Sequence, residues 1–302
     1  MKFDFGEVLG KTWKIGWNHK ILWVWQIMPG LFSILIMPFL ILGNPGFAML
    51  LPEPLNRLAN ETWGVMALMG LTFILIIPIM FMSIAAQVTT TYGALQVEKG
   101  AEKLAFRGLF NESIPYFWRV TGLYAIFSGA WIFLMFAFMA VTVLAAIPTA
   151  GLAMICMMPL FLLFTPIFIV AYSVLELAQA AIIADDMGTL AALSHGWKIF
   201  RANVLGVTVL MMTLYFALSM LSSIFIFPIM LPIMMIPPAM ESQGSFNSLM
   251  VVPLFILFPI IFFAMYVVQG ILMVFFQSAW AVAYLRLTKQ KEEAPVIIEA
   301  NA

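Results

Sequence analysis

Residues 118–147 read WRVTGLYAIFSGAWIFLMFAFMAVTVLAAI, an apolar run whose only charged residue, Arg119, stands near its beginning. A helix needs about 20 apolar residues to cross the roughly 30 Å hydrocarbon core of a bilayer. Only helices and closed barrels satisfy every backbone hydrogen bond in lipid, and this run is much longer than the roughly 10 residues of a barrel strand. The stretch therefore predicts a membrane-spanning helix.

The composition of the whole chain indicates the same class. Of its 302 residues, 64% are hydrophobic and 9% are charged, and the mean hydropathy is +1.06. A soluble domain is about 45–50% apolar and about 25% charged. The 14 basic and 14 acidic residues cancel, which excludes a strongly basic protein with a nucleic-acid partner. Cys156 is the only cysteine, so we expect no intrachain disulfide and no cysteine-based metal site. We also expect no cofactor.

Six apolar runs are long enough to span a bilayer, and they predict an all-α polytopic membrane protein. The runs are Ile21–Leu42, Trp63–Leu95, Trp118–Ile147, Leu152–Ala184, Val204–Ile236 and Leu249–Leu287. With six spans, every Lys and Arg except Arg57 lies on the side of the two termini. The positive-inside rule then predicts a cell inner membrane protein with both termini in the cytoplasm. The proline-rich run at 228–238 is expected to end the fifth helix.

Three segments on the cytoplasmic side resemble one another and predict an internal repeat. They are Phe5–Lys20, Phe106–Thr121 and Thr189–Val204, and each contains Trp, a basic residue and an aliphatic residue in succession. Their apolar residues recur at helical spacing, which predicts three amphipathic helices lying in the membrane interface. The repeat units are then 4–98, 106–186 and 189–287 of a single membrane domain, 1–288, followed by a polar cytoplasmic tail, 289–302. The alternative is that these segments are only polar connections.

The exit of the fourth span carries a family resemblance. Leu175–Phe200 reads LELAQAAIIADDMGTLAALSHGWKIF, with an aliphatic run, an acidic pair, a glycine, an Ala/Leu stretch and Ser-His-Gly-Trp-Lys in order. This stretch resembles the bacterial integral-membrane family named after the membrane domain of glycerophosphoryl diester phosphodiesterase, and related membrane domains of unknown function. In the enzymes for which the family is named, catalysis belongs to a separate soluble barrel domain, and six spans leave no room for the roughly 200 residues of such a barrel in this sequence. The resemblance therefore implies a membrane module without phosphodiesterase activity.

The basic residues and tryptophans of the three segments are candidates for binding lipid headgroups, because Trp favours headgroup depth and Lys and Arg reach phosphate. The alternative is simple anchoring of the spans by the positive-inside effect. The candidates are Trp13, Lys14, Arg107, Trp118, Arg119, Trp197, Lys198 and Arg201.

Polar residues within the inward-running spans form a second candidate site. Glu176 is the one acid inside a predicted span, and intramembrane carboxylates usually face the interior of a bundle. If the polar faces converge, they form an intramembrane pocket; the alternative is interhelical hydrogen bonding that holds the bundle together. The candidates are Gln87, Tyr92, Glu176, Gln179, Gln269 and Gln277.

The sequence contains no phosphate-binding glycine loop, nucleophile elbow or metal-ligand spacing. We therefore expect no enzyme activity and no catalytic residue. The leading prediction is a lipid-interacting structural or accessory module of a membrane complex, whose partners are membrane lipids, other membrane subunits or a second copy of the chain. The alternative is a transporter or channel for a small or amphipathic solute with a polar site near Glu176.

Overall fold

The computed structural model describes residues 4–36, 61–149, 164–243 and 248–292, and in these ranges the chain is helical with no β-strand. The helices are α1 (Phe5–Asn18), α2 (Ile21–Ser33, followed by a 3₁₀ turn at Ile34–Ile36), α3 (Thr62–Glu98), α4 (Phe106–Ala146), α5 (Phe164–Ala184), α6 (Thr189–Ala202), α7 (Val204–Gln243) and α8 (Ser248–Glu292).

Five of these helices contain segments long and apolar enough to cross a membrane. The segments are Trp63–Glu98, Phe106–Ala146, Phe164–Ala184, Val204–Ile224 and Ile260–Thr288. A sixth arises if Phe5–Asn18 and Ile21–Ile36, which are bent by 77° at the break between them, count as one span. The predicted all-α class is thus confirmed for the described residues, with five or six helices long and apolar enough to cross a membrane. Residues 37–42 of the first predicted span, 152–163 of the fourth and 293–302 of the tail lie outside the described residues.

Local hydrogen bonds explain where the short helix α1 begins and where the short helix α6 ends. The side-chain Oδ1 of Asp4 accepts hydrogen bonds from the backbone N–H groups of Gly6, at 2.9 Å, and Glu7, at 3.2 Å, which satisfies donors that a helix start leaves free. At the end of α6, Asn203 leaves the helical conformation and its side-chain nitrogen donates to the carbonyl of Ile199 at 3.2 Å. Asp4 thus fixes the start of α1, and the break at Asn203 separates α6 from α7.

Two predictions about helix ends are wrong. The segment Phe106–Thr121 is not a separate helix, because it runs without a break into the third span as the 41-residue α4. Pro115 lies inside α4 but does not end it, and no counterpart of Asn203 follows Trp118. The fifth helix likewise continues through the proline-rich run to Gln243, since apolar membrane helices tolerate proline better than helices in water do.

The structure divides into two compact units. Of the described residues, those within 1–15, 91–215 and 277–302 form the first unit, and those within 16–90 and 216–276 form the second. Neither unit is a continuous stretch of the kind that the predicted repeat requires, and the repeat stays a prediction.

In the second unit, α2 packs closely against α8 through glycines on both helices. A Cβ atom on Gly30 would lie 2.7 Å from the Cβ of Tyr266, and a Cβ atom on Gly270 would lie 2.8 Å from Cγ1 of Ile27. Small residues let membrane helices approach to backbone contact, which increases their van der Waals attraction. Next to this contact, Nε2 of Gln26 donates to Oγ1 of Thr90 at 3.0 Å. A polar pair thus reinforces the packing.

In the first unit, α5 forms the centre of the core. Every residue from Ser173 to Ile183 is buried, which is the pattern of a helix enclosed by protein on all sides. The helix α6 crosses α5 at Gly196, where an added Cβ would lie 3.0 Å from the backbone N of Ala178 and the backbone O of Val174. The polar side chains of α5 are consequently held at fixed positions in the core.

Candidate functional site

The core of the first unit contains a network of hydrogen-bonded side chains centred on Gln179 of α5. Its Nε2 donates to Oγ1 of Thr91 at 2.9 Å and to Oε1 of Gln277 at 3.2 Å. The Thr91 hydroxyl donates to the same Gln277 oxygen at 3.0 Å, and the Tyr124 hydroxyl donates to Oε1 of Gln179 at 2.8 Å. Side chains from α3, α4, α5 and α8 therefore meet at one point, which we call the glutamine network.

The glutamine network is closed to its surroundings. Gln179 and Gln277 are each 0% exposed and Thr91 is 1% exposed. Hydrogen bonds between membrane helices contribute about 0.6 kcal/mol each on average, because the alternative states also find partners. The network is accordingly suited to fixing how four helices meet, and its members are already bonded to one another.

Glu176 lies one turn before Gln179 on α5 and is only 1% exposed. Its polar neighbours are Tyr172 and Gln277, yet among the described residues neither carboxyl oxygen has a partner in hydrogen-bonding geometry. The Nε2 of Gln277 and the hydroxyl of Ser278 likewise lack one. A buried carboxyl group without a cation or good hydrogen bonds costs stability. Packing alone therefore does not explain why a carboxyl group is buried at position 176.

The structure brings together three of the six residues predicted for the polar site: Glu176, Gln179 and Gln277. Tyr92 points elsewhere, because its hydroxyl donates to Glu112 at 2.8 Å and accepts from Nε2 of Gln96 at 2.6 Å. In the second unit, Gln87 is half-buried and Gln269 is exposed. Thr91 and Tyr124 also belong to the network but were not among the predicted residues. The sequence carries no signal for Tyr124, because a single tyrosine is common in an apolar span.

A charged cluster, absent from the sequence predictions, joins α1 to the ends of α3 and α8. Nζ of Lys11 lies 3.1 Å from Glu98 and 3.6 Å from Glu7, and the guanidinium of Arg286 lies 2.7 Å from Glu7 and 3.8 Å from Glu98. The four side chains are partly exposed, between 14% and 46%. Alternating charges in one group stabilise more than an isolated surface pair does. The cluster ties α1 to two spans.

Replacing Glu98 with glutamine should weaken this cluster. The change removes one anion from between Lys11 and Arg286, and we expect a loss of about 0.5–1 kcal/mol because the group is partly screened by solvent. The measurement is the melting temperature in detergent at low and at high NaCl, with the difference from wild type shrinking as salt rises. Glu102→Gln, at an exposed position, is the matched control. An effect independent of salt, or equal to that of Glu102→Gln, would contradict the assignment.

One predicted headgroup ligand, Arg119, is engaged within the protein. Its guanidinium lies 2.6 Å from the Asp186 carboxylate and 3.0 Å from the Asp186 carbonyl oxygen. Asp186 has a positive φ of 53°, a conformation that aspartate tolerates better than most residues. The hydroxyl of Thr189 also donates to the Arg119 carbonyl at 2.9 Å. Arg119 therefore helps to hold the turn between α5 and α6 against α4.

The other predicted headgroup ligands remain at the surface. Trp13, Trp118 and Trp197 are 59%, 71% and 45% exposed. The four remaining cations are exposed, and within the described part of the chain none of them forms an ion pair. They are Lys14, Arg107, Lys198 and Arg201.

An apolar groove of about 550 Å³ runs between α4 and α5 and ends against α6. We call it the α4–α5 groove. Its walls carry almost no polar surface, because every one of the residues that line it is apolar. They are Leu123, Ile126, Phe127 and Ala130 of α4, Pro166, Ile167, Val170, Ala171, Val174 and Leu175 of α5, and Leu193 and Trp197 of α6.

Neither feature resembles a centre of covalent chemistry. In the ranges that the structure describes, no group of three or more His, Cys, Asp or Glu side chains could hold a metal ion. The groove offers shape and apolar contact, and Gln179, Thr91 and Oε1 of Gln277 in the glutamine network are already paired with one another. Comparison of the chain with protein-family models, curated proteins and solved structures finds no match.

Proposed function

We propose that this chain is a non-enzymatic membrane module that interacts with lipid and packs as a structural or accessory component of a membrane complex. The observation that carries the proposal is the closed state of the glutamine network. Thr91, Gln179 and Gln277, which could otherwise line a solute path, are buried and bonded to one another. Their arrangement favours interhelical adhesion.

The surface of the first unit supports an interaction with lipid. On α6, Ala192, Gly196, Ile199 and Phe200 are buried, whereas Lys198 and Arg201 are exposed. A helix of this kind places its apolar side in protein or hydrocarbon and its cations at headgroup phosphates. We propose that α6, and α1 by the same argument, lie in the interface of the cytoplasmic leaflet.

The position of α1 and α6 in the cytoplasmic leaflet also sets the topology of the chain. Both termini are then cytoplasmic, as the distribution of Lys and Arg requires, and the host is a cell inner membrane. We also propose that the chain is related to the membrane domain of the glycerophosphoryl diester phosphodiesterase family and descends from a threefold repeat. In this view the second copy has fused its interfacial helix to its span, which agrees with the unbroken α4.

The decisive experiment is reconstitution of the purified chain in liposomes. We expect no transport: glycerol-driven swelling and carboxyfluorescein release should equal those of protein-free liposomes. After mild extraction from native membranes, we expect the chain to migrate with other membrane subunits or as an oligomer. A monomer that raises the flux of either probe would overturn the proposal.

A transporter is the second candidate, and one observation favours it. The unpaired carboxyl oxygens of Glu176 lie beside the unpaired Nε2 of Gln277, a combination that a bound water or small polar solute would satisfy. Under this alternative the liposomes would show flux, and Glu176→Gln would reduce it. Flux that is unchanged in Glu176→Gln would remove Glu176 from the transport path.

A further inference from the structure

We propose that the α4–α5 groove holds one acyl chain of an anionic phospholipid, whose headgroup is bound by Lys198 and Arg201 of α6. The inference rests on the proposed function and assigns it a specific lipid site. Three properties carry it: the apolar lining of the groove, the way α6 closes one end, and the unpaired cations beside that end.

The apolar residues that line the groove favour a hydrocarbon ligand. The wall residues present aliphatic and aromatic groups along α4 and α5, and the volume of about 550 Å³ falls within the usual range of ligand sites, about 300–1,000 Å³. Small side chains at Ala130 and Ala171 make room for a ligand between the bulkier residues. A polar solute would lose its hydrogen bonds to water here, whereas a hydrocarbon chain loses none.

Helix α6 places charge at one end of the groove. Leu193 and Trp197 line the groove, and Arg201 follows Trp197 by four residues, so it lies one turn further on the same side of α6. Lys198 adjoins Trp197 in the chain. Both cations are exposed, and neither forms an ion pair among the described residues. They are therefore available to an anion, unlike Arg119, which Asp186 occupies.

The apolar groove and the cations of α6 together explain why one kind of lipid would bind in preference to the other lipids of the bilayer. An acyl chain that leaves the bilayer for the groove remains in hydrocarbon, so it gains little from the hydrophobic effect. Selectivity must then come from fit in the groove and from attraction between the headgroup and the cations. The occupant should therefore be chosen by headgroup charge.

The test is native mass spectrometry of the purified full chain in mixed micelles with equal amounts of palmitoyl-oleoyl phosphatidylglycerol and palmitoyl-oleoyl phosphatidylcholine. We expect one phosphatidylglycerol to stay bound per chain and phosphatidylcholine to be lost. The double change Lys198→Gln and Arg201→Gln should lower retention of phosphatidylglycerol by about fivefold for each cation. The matched control is the double change Lys99→Gln and Lys103→Gln, at two exposed positions outside the groove, which should leave retention unchanged. Equal retention of both lipids by the wild type would overturn the proposal.

A second set of variants tests the groove itself. Ala171→Phe fills the groove and should remove the bound lipid, whereas Ala140→Phe, at an exposed position of α4 outside the groove, should keep it. If Ala171→Phe does not fold, Ala130→Leu tests the opposite wall. Phosphatidylglycerol retained by a folded groove variant at the wild-type level would refute the site.

The lipid-binding experiment and the liposome flux experiment can fail independently of each other. Absence of a bound lipid in a chain that shows no flux would refute only the groove. Flux with a lipid still bound would refute the structural role and leave the groove assignment standing.

Discussion

Replacement of Gly196 by leucine is expected to lower the free energy of unfolding by about 3 kcal/mol, within the range for severe overpacking. The position has no room for a side chain. A Cβ atom would lie 3.0 Å from the backbone N of Ala178 and 3.0 Å from the backbone O of Val174. Backbone atoms within a buried helix cannot turn aside as a flexible side chain can, so α6 must move away from α5.

The measurement is the midpoint of SDS-induced unfolding in mixed micelles, followed by circular dichroism. The matched control is Gly129→Leu in α4, where an added Cβ meets nothing within 4 Å. That change should be neutral or slightly stabilising, because glycine weakens the interior of a helix by about 0.5–1 kcal/mol relative to alanine. Equal midpoints for the two variants would contradict the close contact between α5 and α6.

Gln277→Leu is expected to cost about 2 kcal/mol, the second largest effect. Its Oε1 accepts hydrogen bonds from Thr91 at 3.0 Å and from Gln179 at 3.2 Å. Leucine removes this acceptor, and two buried donors lose a partner at once. Leaving a buried donor unsatisfied costs about 1–3 kcal/mol, and interhelical bonds in a membrane lie towards the lower end of that range.

The control for this prediction lies on the same helix. Gln269 is exposed, so Gln269→Leu should change the SDS midpoint little or raise it. Glu176→Leu should have the opposite sign to Gln277→Leu, because it removes a buried carboxyl group that has no hydrogen bond in good geometry. If Gln277→Leu is as stable as Gln269→Leu, the glutamine network does not hold the helices together.

The helical membrane class follows from the sequence because it depends on local properties. Runs such as Trp118–Ile147 are too long and too apolar for any other solution in lipid, where every backbone group must bond within its own helix. The starts of α1 and α6, at Phe5 and Thr189, lie where the amphipathic segments were predicted to begin, and the preceding residues, Asp4 and Gly188, favour a helix start.

Helix ends inside apolar stretches were not predictable in the same way. Two helices continue where the sequence predicted an end: α4 runs through Trp118, and α7 runs through Pro228. In lipid the cost of breaking a helix exceeds the cost of one missing N–H group, so residues that end helices in water do not end them here.

The polar site was likewise predictable only in part. Polar residues at 176, 179 and 277 are visible in the sequence because they interrupt apolar runs, and their type alone indicates that they turn away from lipid. Which of them bond to each other depends on how α3, α4, α5 and α8 are rotated about their axes, and that rotation is decided by packing between residues far apart in the chain. The same dependence on packing explains the pairing of Glu98 with Lys11 and Arg286, and the groove that α6 closes. The sequence thus determined a chain of long apolar helices. Only the tertiary structure decided which polar groups are paired, because a hydrogen bond or an ion pair requires contact within about 3 to 4 Å.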